Sequence, residues 1–304
     1  MKIDLINIPL FYGCDRPGVE EGPKVLSDNG LKNLLTEYGN EVVREETIDV
    51  PPCSEEDKYK AHPQIKYLES VKTTNEALAQ RVEAALKEGL LPFNIGGDHA
   101  LGMGSLAGIS CALGNEVGVL WIDAHADINT PQTSPSGNSH GMPLAVSMGE
   151  GLEELCNLHF KGQKVHPNNC FIIGARSVDD GEVALIDRLG INVWYMEELR
   201  ERGMAAIIRE LFTILDQRGL KDLHLSYDID SLDMSLVPGT GTPVPNGMNL
   251  DESQELISAI LQSGKVRSID FVEFNPKRDH EDQVTLHSCL TMLRAFAQAL
   301  GTLS

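Results

Sequence analysis

The sequence predicts an α/β fold on a parallel sheet, and three observations carry that expectation. Short apolar runs recur along the chain, segments of helical periodicity alternate with them, and no internal repeat or linker-like Pro/Gly/Ser tract divides it. Parallel strands need crossover connections, usually helices, so this alternation is their signature. At 304 residues the chain buries a full core, and residues 1–304 read as one domain.

The apolar runs, in order, are "IDLINIP" (3–9), "LPFNIGG" (91–97), "VGVLWID" (117–123), "CFIIGAR" (170–176), "INVWYM" (191–196), "LHLSYDID" (223–230) and "VRSIDFVEFNP" (266–276). Each is bounded by turn residues. Between them, "TTNEALAQRVEAALKEG" (73–89) places Leu78, Val82, Ala85 and Leu86 on one face, with Gly89 as the stop. "GEVALIDRLG", "MAAIIRELFTILDQRG", "DESQELISAILQSG" and "QVTLHSCLTMLRAFAQALG" read as helices in the same way. The stretches 49–57, 130–143 and 161–169 read as loops.

Composition narrows the classes of function. The formal net charge of -20 repels nucleic acid and anionic membrane surfaces and leaves a cationic small molecule or metal ion as the natural guest. Neither a basic leader nor an apolar run of membrane-spanning length is present, and six cysteines lie scattered without a C-x-x-C pair. The expectation is a cytoplasmic protein with reduced thiols.

In an open parallel sheet, ligands bind beyond the carboxyl ends of the strands. Polar residues follow the apolar runs there: Asp98 and His99, then Asp123, His125 and Asp127, then Ser177 to Glu182, then Asp228 and Asp230, then Glu273. A lone D-x-H or D-x-D is most simply a cap or an Asx turn, and a lone histidine beside two glycines a turn residue. Three strand ends carrying such residues together argue for a shared site. Strand periodicity would put Asp123 with His125, and Asp228 with Asp230, on common faces.

Two imidazoles and four carboxylates converging in a desolvated pocket demand a counter-charge, and divalent metal supplies it most simply. Six protein ligands exceed one tetrahedral ion, so two ions sharing carboxylates fit better. The oxygen-rich set without thiolate favours Mn²⁺, with Zn²⁺, Co²⁺ and Ni²⁺ remaining possible. Water held between two such ions becomes a hydroxide nucleophile near neutral pH, so the reaction class is metal-assisted hydrolysis. A phosphate ester, an amide and an amidine all remain open as electrophile at this point. The absence of an Arg or Lys cluster near the motifs weighs against phosphate.

"GVEEGPKVL" (18–26), "GGDHA" (96–100), "DAHADINTPQTSPSGNSHGMP" (123–143), "SYDIDSLDMSLVPGTGTPVPNG" (226–247) and "VEFNP" (272–276) closely resemble the ureohydrolase family, its arginase branch in particular. The resemblance spans nearly the whole chain. It implies a three-layer αβα domain with a central eight-stranded parallel sheet and two Mn²⁺ ions per subunit. By motif position, His99, Asp123, Asp127 and Asp228 would hold one ion, and His125, Asp123, Asp228 and Asp230 the other, with Asp123 and Asp228 bridging.

The reaction it implies is attack of a metal-bridging hydroxide on the guanidinium carbon of L-arginine, giving L-ornithine and urea. His140 would shuttle the proton to the leaving amine, Asp127 would assist the nucleophile, and Glu273 would meet the guanidinium. Asn129, Ser136 and Asn138 would bind the α-carboxylate and Asp179 the α-ammonium, with Glu182 and Thr242 completing the substrate contacts. That carboxylate kit argues for arginine over agmatine. The alternatives are an agmatinase, a guanidinobutyrase, a formiminoglutamase, or a non-catalytic binding relative.

Three departures from the family's pattern stand out: Ala100 for a common serine, Ser177 for an aspartate and Met234 for a proline. None is an expected metal ligand. A homotrimer or homohexamer is implied, although the sequence ends without the longer C-terminal tail some relatives use at subunit interfaces.

Overall fold

Continuous apolar runs, as opposed to alternating ones, form strands buried on both faces, and the computed structural model, which describes residues 1–303, shows this outcome. The strands are β1 Lys2–Ile8, β2 Glu41–Thr47, β3 Leu91–Gly96, β4 Gly118–Ile122, β5 Cys170–Ala175, β6 Asn192–Tyr195, β7 Leu223–Asp228 and β8 Val266–Val272. They form one eight-stranded sheet in the order β2-β1-β3-β8-β7-β4-β5-β6. Every paired neighbour is parallel.

Strand period sorts the side chains into two layers. Phe93, Leu120, Ile122, Phe171, Leu225 and Phe271 pack with the helices Met204–Gln217, Leu250–Gln262 and Val284–Gly301. On the opposite face, Val119, Trp121 and Ile172 meet Leu106, Leu144, Leu185 and Ile186 from the helices Gly102–Leu113, Pro143–Ser147 and Asp180–Leu189. Ile6 and Ile8 meet Val71, Leu78 and Val82 of the helix Leu68–Lys87. The architecture is therefore helix, sheet, helix.

Several elements have no counterpart among the runs read from the sequence, and β2 and the helix Gly102–Leu113 are the most instructive of them. β2, "EVVREET", alternates exposed and half-buried residues at the sheet edge, where charged side chains guard open backbone groups. The helix Gly102–Leu113 is glycine-rich and buried almost all round, so it shows no amphipathic stripe. Gly108 explains part of this: a Cβ there would sit 2.6 Å from the carbonyl oxygen of Ala79, so only glycine lets the two helices approach.

The consequence for function is positional. β7 and β8 lie between β3 and β4, so the segments leaving β3, β4, β7 and β8 emerge side by side at one edge. Among the described residues no helix is long and apolar enough to cross a membrane.

Candidate metal centre and substrate pocket

The segments leaving β3, β4 and β7 turn sharply, and a carboxylate makes each turn. Asp98 Oδ1 accepts the N–H of Ala100 at 3.0 Å, Asp123 Oδ1 that of His125 at 2.7 Å, and Asp228 Oδ1 that of Asp230 at 2.8 Å. These are Asx-type turns. β4 ends at Ile122, and Asp230 lies in the short 3-10 turn Ile229–Ser231, so turns and not strand faces align the two pairs. The structure thus corrects the strand-periodicity premise. The turn role and the cluster coexist, because each carboxylate has a second oxygen.

The second oxygens of Asp123 and Asp228 converge on His99, whereas that of Asp98 accepts the Cys14 N–H at 2.9 Å. His99 Nδ1 lies 3.1 Å from Asp123 Oδ2, 3.0 Å from Asp127 Oδ2 and 3.3 Å from Asp228 Oδ2. His125 Nδ1 lies 3.4 Å from Asp123 Oδ1 and 3.1 Å from Asp230 Oδ2. Two ligand-type groups result, His99 with Asp123 and Asp228, and His125 with Asp123 and Asp230, so Asp123 belongs to both. Asp127 joins the first group with its backbone held at φ 50, a left-handed conformation rare for a side-chain-bearing residue.

The donor set fits a pair of divalent cations on two observations. His99 Nδ1 is buried without a hydrogen-bond partner while its Nε2 is fixed by Ser226 Oγ at 2.8 Å, the arrangement that orients a ligating imidazole. The cluster also carries surplus buried negative charge. Burial first, then neighbouring carboxylates, push Asp228 upward and Asp127 up to about 6. Burial acts downward on His99 and His125, yet the surrounding carboxylates draw both imidazoles well above their ordinary value. Protons gather here because positive charge is stabilised here.

Beside the cluster opens one pocket, and its lining includes His125, Asp127 and Asp228 together with Asn129, Ser136, Asn138, His140, Asp179, Glu182 and Thr242. Asn129 Nδ2 donates to Asp179 Oδ2 at 3.0 Å, and Asn138 Nδ2 to the Cys14 carbonyl at 2.9 Å. Each amide spends one N–H on the scaffold and keeps one. Asp179 and Glu182 form the capping box of the helix Asp180–Leu189, and Glu182 Oε1 also accepts the N–H of Ile128 at 3.0 Å. Burial pushes the Glu182 carboxyl up to about 7.

The arginase family matches residues 1–298 of the chain. The chain belongs to the arginase family. The arginase of Bacillus subtilis is 41% identical over 281 residues, which is 92% of this chain and 93% of that protein. A solved arginase structure from the same organism superposes with a TM-score of 0.89 at 38% identity, covering 97% of this chain and 98% of that one. The Entamoeba histolytica arginase in complex with L-ornithine superposes at 0.88 with 34% identity, covering 97% of each chain.

Within this arginase-family site, some residues sit differently from what motif position implied. Glu273 is absent from the pocket lining and only 1% exposed; its Oε1 accepts the His99 N–H at 2.9 Å and faces His140 Nδ1 at 3.1 Å. Its Oε2 is buried without a hydrogen-bond partner. Thr242 donates to Asp230 Oδ2 at 3.0 Å and so braces the cluster as well as lining the pocket.

Sequence reading missed three supports. Trp121 stacks on the His99 ring at 4.0 Å between centroids and donates its Nε1–H to Asp123 Oδ2 at 3.0 Å. Ser226 fixes the other side of His99. Arg176 donates to the carbonyls of Asp230, Leu232, Val244 and Pro245 at 2.7 to 3.0 Å, clamping both ends of the 230–245 segment onto the end of β5. "CFIIGAR" did advertise an arginine just beyond a strand; nothing in the spacing revealed that carbonyls would surround it. Of the three departures, Ser177 lines the pocket, Ala100 is fully buried and Met234 is exposed.

Proposed function

We propose that the chain hydrolyses the guanidinium group of L-arginine to L-ornithine and urea, with two Mn²⁺ ions per subunit. The observation that carries this reading is the junction of a buried cluster of two imidazoles and four carboxylates with a pocket lined by the amide, hydroxyl and carboxylate groups of Asn129, Ser136, Asn138, Asp179 and Glu182. His99, Asp123, Asp127 and Asp228 would hold one ion, and His125, Asp123, Asp228 and Asp230 the other. When bound, the ions supply a water activated at neutral pH and Lewis-acid polarisation of the substrate.

The chain's own residues do the rest. Asn129, Ser136 and Asn138 offer donors to the α-carboxylate, and Asp179 pairs with the α-ammonium, which fixes the amino-acid end and aims the guanidinium inward. The free Oε2 of Glu273 accepts from the guanidinium. Asp127 accepts a hydrogen bond from the attacking water.

Breaking the carbon–nitrogen bond needs a proton on the departing amine. His140, with Nδ1 toward Glu273 Oε1, keeps Nε2 for that delivery. Burial lowers its proton affinity and Glu273 more than offsets this, so the imidazole sits above its ordinary value and is better stocked with a proton.

Urea release from L-arginine, agmatine and 4-guanidinobutyrate in Mn²⁺-loaded protein tests the reading. The expected order puts L-arginine first by a wide margin. Turnover of only the carboxylate-free or ammonium-free guanidines would overturn the assignment of Asn129, Ser136, Asn138 and Asp179. We further propose a cytoplasmic homotrimer or homohexamer; six free cysteines support a reducing compartment, and light scattering reads the assembly.

A further inference from the structure

A second donor set stands apart from the sheet edge. Glu83 projects from the helix Leu68–Lys87, Cys111 from the far end of Gly102–Leu113, and His159 from the loop that follows Glu153–Cys156. One ligand-type atom from each lies within 4.8 Å of the other two. Cys111 is nine residues along a helix whose start adjoins His99, which places it roughly 14 Å from that start.

The histidine is prearranged. His159 holds φ 66, unusual for a residue with a side chain, while its backbone N–H donates to Glu76 Oε2 at 2.7 Å. Its Nδ1 faces Glu76 Oε1 at 3.5 Å, and its Nε2 faces Glu83 Oε2 at 2.6 Å. A carboxylate behind one ring nitrogen and ligand-type atoms before the other is the pattern of a metal-binding histidine. The loop itself is anchored by Lys164, only 2% exposed, whose ammonium donates to the carbonyls of Cys156, Phe160 and Gly162.

We propose that Glu83, Cys111 and His159 form a third metal site, for a single thiophilic divalent ion of the Zn²⁺ class, stapling two helices and a loop. One sulfur, one imidazole and one carboxylate, with water in the fourth position, make a tetrahedral set that a borderline-soft ion prefers; the sheet-edge cluster has no thiol. Loading brings in one divalent ion, displaces the Lys87 ammonium from Glu83, releases the Cys111 thiol proton, and shifts the ring hydrogen from His159 Nε2, where it bridges to Glu83, to Nδ1, which faces Glu76. Lys87, paired with Glu83 through a largely exposed side chain, swings into solvent at small cost. The Cys111 thiol, its proton retained by burial and by Glu83, releases that proton to water as its sulfur binds the ion.

Cobalt titration of metal-free protein separates the two kinds of site, because only a thiolate ligand gives near-ultraviolet sulfur-to-Co²⁺ charge-transfer absorption. Wild type is expected to develop that band to one equivalent, and Cys111→Ser to lose it while still binding Co²⁺ at the sheet edge. Glu83→Gln and His159→Gln are expected to weaken it about 10-fold or more, the scale of losing a ligand or its support. Zn²⁺ is also expected to slow alkylation of Cys111, the exposed cysteine of the chain. No band in folded wild-type protein would overturn the proposal, and so would a band of equal affinity in His159→Gln, which would mean a lone thiol only. Circular dichroism of each variant confirms that the fold is retained.

Discussion

The carboxylate cluster and the 129–142 loop use the same small polar residue types, yet they are held in different ways. In the cluster, Asp123 and Asp228 each bond a backbone N–H two residues on, and the backbone in turn aims their second oxygens. In the loop, side chains hold one another as well as backbone: Asn129 bonds Asp179, Thr133 Oγ1 donates to Asn129 Oδ1 at 2.8 Å, and Asn138 bonds the Cys14 carbonyl. Backbone anchoring fixes geometry; side-chain anchoring fixes which groups meet the solvent side of the pocket. The difference teaches that damage to the cluster should abolish chemistry, while damage to the loop should change the choice of substrate.

The largest effect is expected from Asp228→Asn, which removes a carboxylate charge proposed to bridge both ions and leaves the turn-making oxygen. Metal content should fall and turnover should drop on the order of 10⁴-fold, several kcal/mol of lost electrostatic stabilisation; elemental analysis beside the urea assay reads both. His140→Asn should leave both ions in place and slow turnover roughly 10²-fold or more, within the range of a positioned acid. Parallel loss of metal in that variant would show that the histidine belongs to the cluster.

Arg176→Lys addresses the clamp. A lysine cannot reproduce a planar fork meeting carbonyls on both arms of the 230–245 segment, so chemical denaturation of metal-free protein should show about 2 kcal/mol lost. Metal affinity should fall with it, since Asp230 sits inside the clamped segment. Unchanged affinity would confine Arg176 to stability. The smallest effect is expected from Asn129→Ala, with KM for L-arginine rising about 10-fold, the worth of one hydrogen bond to a charged group, and agmatine turnover unchanged. An equal shift for both substrates would remove the distinction between cluster and loop.

Much of this was legible in the residues. β3, β4, β5, β7 and β8 are buried on both faces, so their sequences are unbroken apolar runs that announce themselves. The strand order explains why polar residues far apart in sequence, His99 and Asp228, become neighbours. β2 was illegible because an edge strand wears charges, and Gly102–Leu113 because a helix buried all round loses its period. The site's ligand-type residues stood out by coincidence of position, but their supports did not. Trp121 and Ser226 read as ordinary strand residues, and only the register that sets Trp121 opposite Ser226 across β4 and β7 shows them converging on His99. Asp127 and Glu273 share a further feature hidden from spacing, since both occupy positive φ, 50 and 70.

Mn²⁺ binding and turnover measured on the same metal-free protein test the shared-ligand centre most directly. Equilibrium dialysis with Mn²⁺, which the thiol-containing set beside Glu83 should hold poorly, is expected to give two ions per chain at the sheet edge, with urea release from L-arginine rising as the second binds. Asp123→Asn should weaken both ions together because its carboxylate belongs to both groups. Full turnover with one ion bound, or loss of only one ion in Asp123→Asn, would contradict the shared centre.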